Sequence, residues 1–299
     1  MLVVADEDTK QLEKMMRDQS LTSTSSHTDR KADEVEFHDR RERDRRAMTP
    51  EAFERKYSNK KWYAICGESR AFVENWLKKN CKGSTALDFG CGLGGTSLQL
   101  ARLGAAVHAI DISPESAATT RKVLTDAGYG DVCRTYVMDG ENLQFHNSMF
   151  DIIICSGVLH HVDVDAVFPE LARVLKPGGT LIGLEALGYN PVISMYRRLT
   201  PRLRTAWEPD HILTIKDLKI ADRYFAERRV HYFYLFSILA VPFRRSGLFK
   251  PLLATLRAID SVVLKIPGLQ LLAWQMVFFL GSPRTRASSD VAFGTNSGS

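Results

Sequence analysis

From residue 85 onward, short apolar runs alternate with amphipathic stretches, and glycines or prolines mark the joints. Thr85–Phe89 reads as a first strand, followed by a turn with glycines at 90, 92, 94 and 95. A helix from near Thr96 to about Leu103 then stops at Gly104. Ala106–Ile110 gives strand two. Ser113-Pro114-Glu115 then supplies an N-cap, a proline at the first helical position and an acid in the first turn of a helix to Ala127. Strand three is Val132–Met138. Strand four, Phe150–Cys155, is nearly all apolar, as expected of a strand buried on both faces. Pro169 sets the effective start of a helix to Leu175, and Pro177-Gly178-Gly179 turn into strand five, Thr180–Glu185. Strands separated by helices predict βαβ units and a parallel sheet.

The flanks are less regular. Residues 1–32 are polar and poor in aromatics and read as a disordered tail. From about Asp33 the apolar spacing supports a helix, expected as a solvated charged tail in preference to an arm over a ligand site. Met48–Asn80 reads as helical, with Pro50 at a helix start and Ala71, Phe72, Trp76 and Leu77 on one face; with residues from 33 it makes a helical cap over 33–82. Thr214 and Asp217 form a capping box opening a helix to about Phe225. Val230–Leu239 is a sixth strand, Leu248–Ile266 an amphipathic helix, Leu271–Leu280 a last buried strand, and 283–299 a loose tail. The main domain is therefore 83–282.

Composition narrows the class only modestly. The 299 residues, 44% hydrophobic and 25% charged, suit a soluble globular chain with a sizeable core. Five scattered cysteines without a CxxC pair fit reduced thiols and a cytoplasmic protein. The opening MLVV followed by acidic residues predicts no leader, and no apolar run suggests a membrane span. The net charge of +5 is uneven: thirteen Lys/Arg stand against five Asp/Glu between Asn190 and Arg257. Such a segment suits an anionic acceptor or peripheral contact with a membrane surface, or is simply a solvated helical face.

The chemistry concentrates after strand one. Gly90, Gly92 and Gly95 satisfy G-x-G-x-x-G, and Asp111 lies about 20 residues on, where a ribose-binding acid belongs. This alone leaves an NAD-dependent oxidoreductase open. Further features accompany it: Asp88 ahead of the glycines, Asp139-Gly140 after strand three, FDIIICSGVLHHV over 150–162, and LARVLKPGG over 171–179. In that order the stretches resemble the class I S-adenosylmethionine-dependent methyltransferases, in the group similar to the ubiquinone and menaquinone biosynthesis methyltransferases. The resemblance covers roughly Thr85 to Ala186. It implies a doubly wound, mostly parallel seven-stranded α/β sheet, Rossmann-like, with an N-terminal helical arm and a C-terminal helical insertion. The last strand would be antiparallel beside the fifth.

S-adenosylmethionine has hydroxyls, amines and a sulfonium but no phosphate, so its site needs glycines and carboxylates and no phosphate-binding lysine. None follows this turn. By resemblance, Gly90, Cys91 and Gly92 pass along the methionine portion and Asp88 orients the turn or the ligand amine. Asp111 accepts from the ribose hydroxyls, and Ile112 lies on the adenine. Asp139 reads the adenine amine beside Gly140, and Ser156 lies near the methionine end. His160, His161 and Glu185, at strand ends, are the candidate catalytic residues, each weighed against a structural role. His160, His161, Asp163 and Asp165 resemble a ligand cluster, yet a helix cap explains the acids, and no metal is required. The reading is of a methyltransferase acting on O, N or C of a hydrophobic or amphipathic small molecule. Acceptor specificity is assigned to the arm and to about 187–211 and 240–268, with ordinary core packing the favoured reading of the apolar residues in the last of these. A non-catalytic S-adenosylmethionine-binding protein is the alternative from another class. Nucleic acid is not an expected partner, because no recognisable RNA-binding module accompanies the basic segment.

Overall fold

A computed structural model describes residues 30–284. The loose tails expected at the two ends lie outside the described residues up to 29 and from 285. Residues 30–32 already belong to a helix, α1, over 30–47.

Seven strands form one sheet in the order β3-β2-β1-β4-β5-β7-β6. They are β1 (Thr85–Phe89), β2 (Ala106–Asp111), β3 (Cys133–Val137), β4 (Phe150–Ser156), β5 (Leu175–Ala186), β6 (Phe225–Phe233) and β7 (Gln275–Pro283). The first five pair in parallel, while β7 runs antiparallel between β5 and β6. The expected fold class, including the reversed last strand beside the fifth, is the one observed. Side-chain alternation along the central strands divides the core by sheet face. Ala86, Ile152, Ile154 and Ile182 pack with Leu77 and Leu100 on one side. Leu87, Ile153, Cys155 and Leu181 pack with Phe168 and Leu171 on the other. This is why β4 reads as an unbroken apolar run.

The helices between strands are α4 (Gly95–Arg102), α5 (Pro114–Asp126) and α6 (Val164–Val174). The Ser113 hydroxyl caps α5 by accepting from Ser116 N–H. α6 starts at Asp163, whose carboxylate accepts from Asp165 N–H, and Pro169 lies inside it, contrary to the expected start. The proline forgoes one helical hydrogen bond. Burial of Val167, Phe168, Leu171 and Val174 against the sheet carries the helix through. Strand β5 likewise begins at Leu175, ahead of the predicted turn, with a register shift against β4 that accommodates Pro177-Gly178-Gly179.

Before the sheet come α2 (Pro50–Lys56), a 3-10 stretch Ser58–Ile65 and α3 (Gly67–Asn80). After β5 come α7 (Pro191–Leu199) and α8 (Ile215–Ile220); α9 (Phe249–Val263) lies between β6 and β7. The Thr214–Asp217 capping box is present. β6 ends earlier than the apolar pattern suggests, because Tyr234 takes a positive φ and Ser237–Phe243 coils into a 3-10 segment. Helix α1 is not a solvated tail. Its Arg30, Glu34, Phe37 and Glu42 are buried, and it lies over the C-terminal edge of the sheet.

Candidate active site

Chain direction reverses between β1, which leads outward to β2 and β3, and β4, which starts the other half of the sheet. Such a switch opens a crevice at the carboxyl ends of the strands. Here a cavity of about 260 Å³ occupies it, floored by the turns after β1, β2, β3 and β4 and roofed by α1.

The glycine turn is shaped by its neighbours. Gly90 and Cys91 donate their N–H groups to the Ile110 carbonyl. Gly90, at φ +75°, leaves no room for a side chain, since a Cβ would lie 2.5 Å from Val158. Gly92, at φ +50°, has nothing within 4 Å of where its Cβ would be, and it lines the cavity. Its N–H donates to Asp111 Oδ2 at 2.9 Å, and Ser113 N–H donates to Asp111 Oδ1 at 2.9 Å. The Asp111 carboxylate is thereby fixed at the mouth of the turn, with lone pairs left for a ligand. Asp139 accepts from Glu141 N–H through Oδ1. Gly140 lies over the Phe89 ring, where a Cβ would come within 2.2 Å.

Of the residues expected to bind a nucleotide-type ligand, Gly90, Gly92, Asp111, Ile112, Asp139, Gly140 and Ser156 line this one cavity. Asp88 and Cys91 do not; both are buried beneath the turn. Asp88 accepts from the Ser97 hydroxyl, and burial, outweighing that bond, pushes its carboxyl up to about 7. Burial also raises the Cys91 thiol well above its usual range, with Asp88 and Asp111 adding to it.

Sequence reasoning missed the roof. Arg30, Lys31, Glu34, His38, Arg41 and Arg45 face the cavity from α1. Lys31 Nζ lies 2.6 Å from Asp139 and 2.7 Å from Glu141, and Arg30 pairs with Glu141. Arg30 also donates to the His161 carbonyl at 2.9 Å. Glu34 lies 3.0 Å from His161 Nδ1 and accepts from the Thr205 hydroxyl at 2.6 Å. Burial alone would raise the Glu34 carboxyl, but His161, His38 and Thr205 together hold it well below the ordinary range. Glu141 is lowered in the same sense, burial being outweighed by Asp163 N–H, Lys31 and Arg30.

The three candidate catalytic residues fall in different places. His161 lines the roofed cavity. Glu185 is buried, and one oxygen accepts from Val158 N–H and Leu159 N–H at 2.8 and 2.9 Å. Its other oxygen lies 3.0 Å from His160 Nδ1. Glu185 thus anchors the loop after β4 and orients His160, and it pairs with no arginine among the described residues. With Nδ1–H donating to this carboxylate, His160 Nε2 is left as an acceptor.

His160 lines a second cavity of about 220 Å³, which meets the first at Ser156 and Gly157. Its wall is aromatic and basic: Trp62, Tyr63, Tyr196 and Trp274 with Arg70 and Arg197. The 187–211 segment contributes to it, but 240–268 does not. In that insertion Phe249, Leu252, Leu253 and Leu256 pack on the core, and Arg244 and Arg245 pair with Glu54. Among the described residues two groups of potential metal ligands also come together, Glu34 with His38 and His161, and His160 with His161 and Glu208. In each, an ion pair or hydrogen bond already engages a member. No helix among the described residues is long and apolar enough to cross a membrane.

Residues 87–183 match the family model described as a methyltransferase domain. The chain is 33% identical over 105 residues to a sterol 4-C-methyltransferase of Caenorhabditis elegans, covering 35% of this chain and 31% of that one. It is 31% identical over 154 residues to the mitochondrial ubiquinone biosynthesis O-methyltransferase of Schizosaccharomyces pombe, covering 48% of this chain and 50% of that one. The chain therefore spans 31% to 50% of the length of these curated relatives. In fold it is similar to a geranyl diphosphate methyltransferase solved with GPP and sinefungin, with a TM-score of 0.52 at 14% identity over 71% of this chain and 77% of that one.

Proposed function

We propose, from the match of residues 87–183 to a methyltransferase domain, that the chain moves a methyl group from S-adenosylmethionine to a small molecule held in the second cavity. The observation that carries this reading is the junction of the two cavities at Ser156–Gly157, with carboxylates on one side and an oriented histidine on the other.

The donor set suits S-adenosylmethionine. Asp111 offers carboxylate oxygens to ribose hydroxyls, and Ile112 and Met138 give apolar walls for an adenine. Asp139 offers an acceptor to its amine, and the open space above Gly92 admits the amino-acid end. Glycines and carboxylates without a phosphate-binding lysine after the turn are the chemistry such a ligand needs. S-adenosylmethionine supplies an electrophilic methyl group with a neutral thioether as its leaving group. The protein has to align the acceptor and, for an oxygen or carbon nucleophile, remove a proton. His160 Nε2 is the acceptor for that proton, and Glu185 stabilises the resulting imidazolium through Nδ1–H. Asp88 and Cys91 act by holding the turn, and His161 by tying the roof to the loop after β4.

The test is incubation of the full chain with methyl-labelled S-adenosylmethionine and a fractionated cell extract. Label appearing in a small molecule supports the proposal. Label retained in the donor although S-adenosylhomocysteine binds would favour the non-catalytic binding protein.

A further inference from the structure

The second cavity carries more positive charge than it neutralises. Arg204 lies 3.0 Å from Glu208, and this pair balances itself. Arg197 is half-buried in the wall. Among the described residues no carboxylate lies within 4.0 Å of its guanidinium, and it donates no side-chain hydrogen bond. Arg70, an exposed residue of the same wall, has no ion-pair partner among the described residues either. Burial lowers the Arg197 guanidinium to about 10, with Glu208 opposing and Arg204 adding, so it stays charged at neutral pH. A partly desolvated cation with no contact ion pair favours an anion placed beside it.

The remaining wall specifies the rest of the occupant. Trp62 and Trp274 lie with ring centroids 6.3 Å apart, and Tyr196 packs edge-on against Trp62 at 5.3 Å. The Trp62 indole N–H and the Asn59 side-chain oxygen are buried with no hydrogen-bond partner among the described residues. A cage of aromatic rings by itself could favour a cationic ligand. Here Lys61 and Arg204 already sit over the Tyr196 ring, at 4.9 and 5.8 Å, and two unpaired arginines would repel a second cation. Arginine's planar fork matches carboxylate and phosphoryl oxygens.

We infer that the methyl acceptor is an anion: a flat apolar body against Trp62 and Trp274, bearing a carboxylate or phosphoryl group that pairs with Arg197. This rests on the methyl-transfer reading above, since it names the substrate class of the same site. Arg197 then acts as a specificity residue, placing the acceptor by its charge while His160 faces the reacting end.

The test uses the full chain saturated with S-adenosylhomocysteine and follows tryptophan fluorescence and heat. The probes are benzoate, phenyl phosphate, neutral benzamide and the cation benzyltrimethylammonium. Benzoate or phenyl phosphate should bind at least tenfold more tightly than benzamide, and whichever is preferred identifies the anionic group. Arg197→Gln should bring anionic and neutral probes within about twofold, with S-adenosylhomocysteine affinity unchanged; Arg197→Lys should restore part of the preference. Equal affinities in the unmutated chain, a preference for the cation, or no binding by any probe would overturn the inference and leave the donor site intact. Failure of S-adenosylhomocysteine itself to bind would overturn both readings.

Discussion

Replacing Glu185 by glutamine isolates the histidine's role from the loop it anchors. In the native chain the Glu185 carboxylate accepts from two backbone N–H groups and from His160 Nδ1 at 3.0 Å. Glutamine keeps one oxygen for Val158 and Leu159 but turns an N–H₂ donor toward His160. Nδ1 must then accept, and the proton moves to Nε2 of this cavity-lining ring. The loop keeps its backbone bonds, while the proton acceptor is lost. A hydrogen bond to a charged group is worth roughly 1.5–3 kcal/mol, so turnover should fall by about 10- to 150-fold. S-adenosylhomocysteine affinity should stay within about twofold. The tautomer is read directly by ¹⁵N NMR of the His160 ring, with Nδ1 protonated in the native chain and Nε2 protonated in the variant. Turnover is read with labelled methyl groups once an acceptor is in hand. If Glu185→Gln keeps the native tautomer or the native turnover, His160 is not the base. If cofactor affinity falls in parallel, Glu185 acts only by holding the loop.

Other consequences follow from the same geometry. Asp111→Ala should weaken S-adenosylhomocysteine binding by ~1.5–3 kcal/mol in calorimetry; unchanged affinity would remove the ribose assignment. Burial raises Asp88 from 3.8 to about 7, so the fold retains a proton there that the unfolded chain loses. Its contribution is fully present below about pH 4 and disappears as pH rises to about 7, a change of up to about 4 kcal/mol. Asp88→Asn should abolish that slope in denaturant melts and gain stability relative to the native chain at pH 8; parallel pH profiles would contradict this. Glu141, lowered in the fold, works in the opposite sense: its hold on Arg30 and Lys31 is present above its unfolded value near 4.5 and lost as pH falls through the lower folded value. Glu141→Gln should accelerate hydrogen exchange across 30–47 by roughly 10-fold or more and leave β1 and β4 unchanged; equal exchange would show that the roof is held by other contacts.

The floor of the first cavity was legible because its parts are local. Gly90, Gly92, Asp111, Ile112, Asp139, Gly140 and Ser156 all sit at the ends of consecutive parallel strands, and the fold brings such ends to one edge. What lay beneath that edge was harder to read. Whether Asp88 reaches the ligand depends on a bond to Ser97 on the following helix, which spacing does not reveal. The roof escaped because its helical period is carried by charge. Residues 30, 31, 34, 38, 41, 42 and 45 form a stripe with the spacing of one helix face, yet a stripe of Arg, Lys, Glu and His reads as solvated until its partners Asp139, Glu141 and His161 are known. The second cavity escaped for a different reason. Trp62 and Trp274 are brought together from opposite ends of the chain, because β7 returns to lie between β5 and β6. The amphipathic period of the 240–268 insertion suits both an acceptor surface and core packing, and the structure takes the second, with Leu252, Leu253 and Leu256 covering the core.

The central claim is that the roofed cavity over Gly92 and Asp111 binds the S-adenosyl group. Calorimetric titration of the full chain with S-adenosylhomocysteine, and separately with NAD, tests it most directly. S-adenosylhomocysteine should bind at a single site per chain and slow hydrogen exchange over 30–47 and the glycine turn, and NAD should give no heat. Binding of NAD without S-adenosylhomocysteine, or of neither, would contradict it.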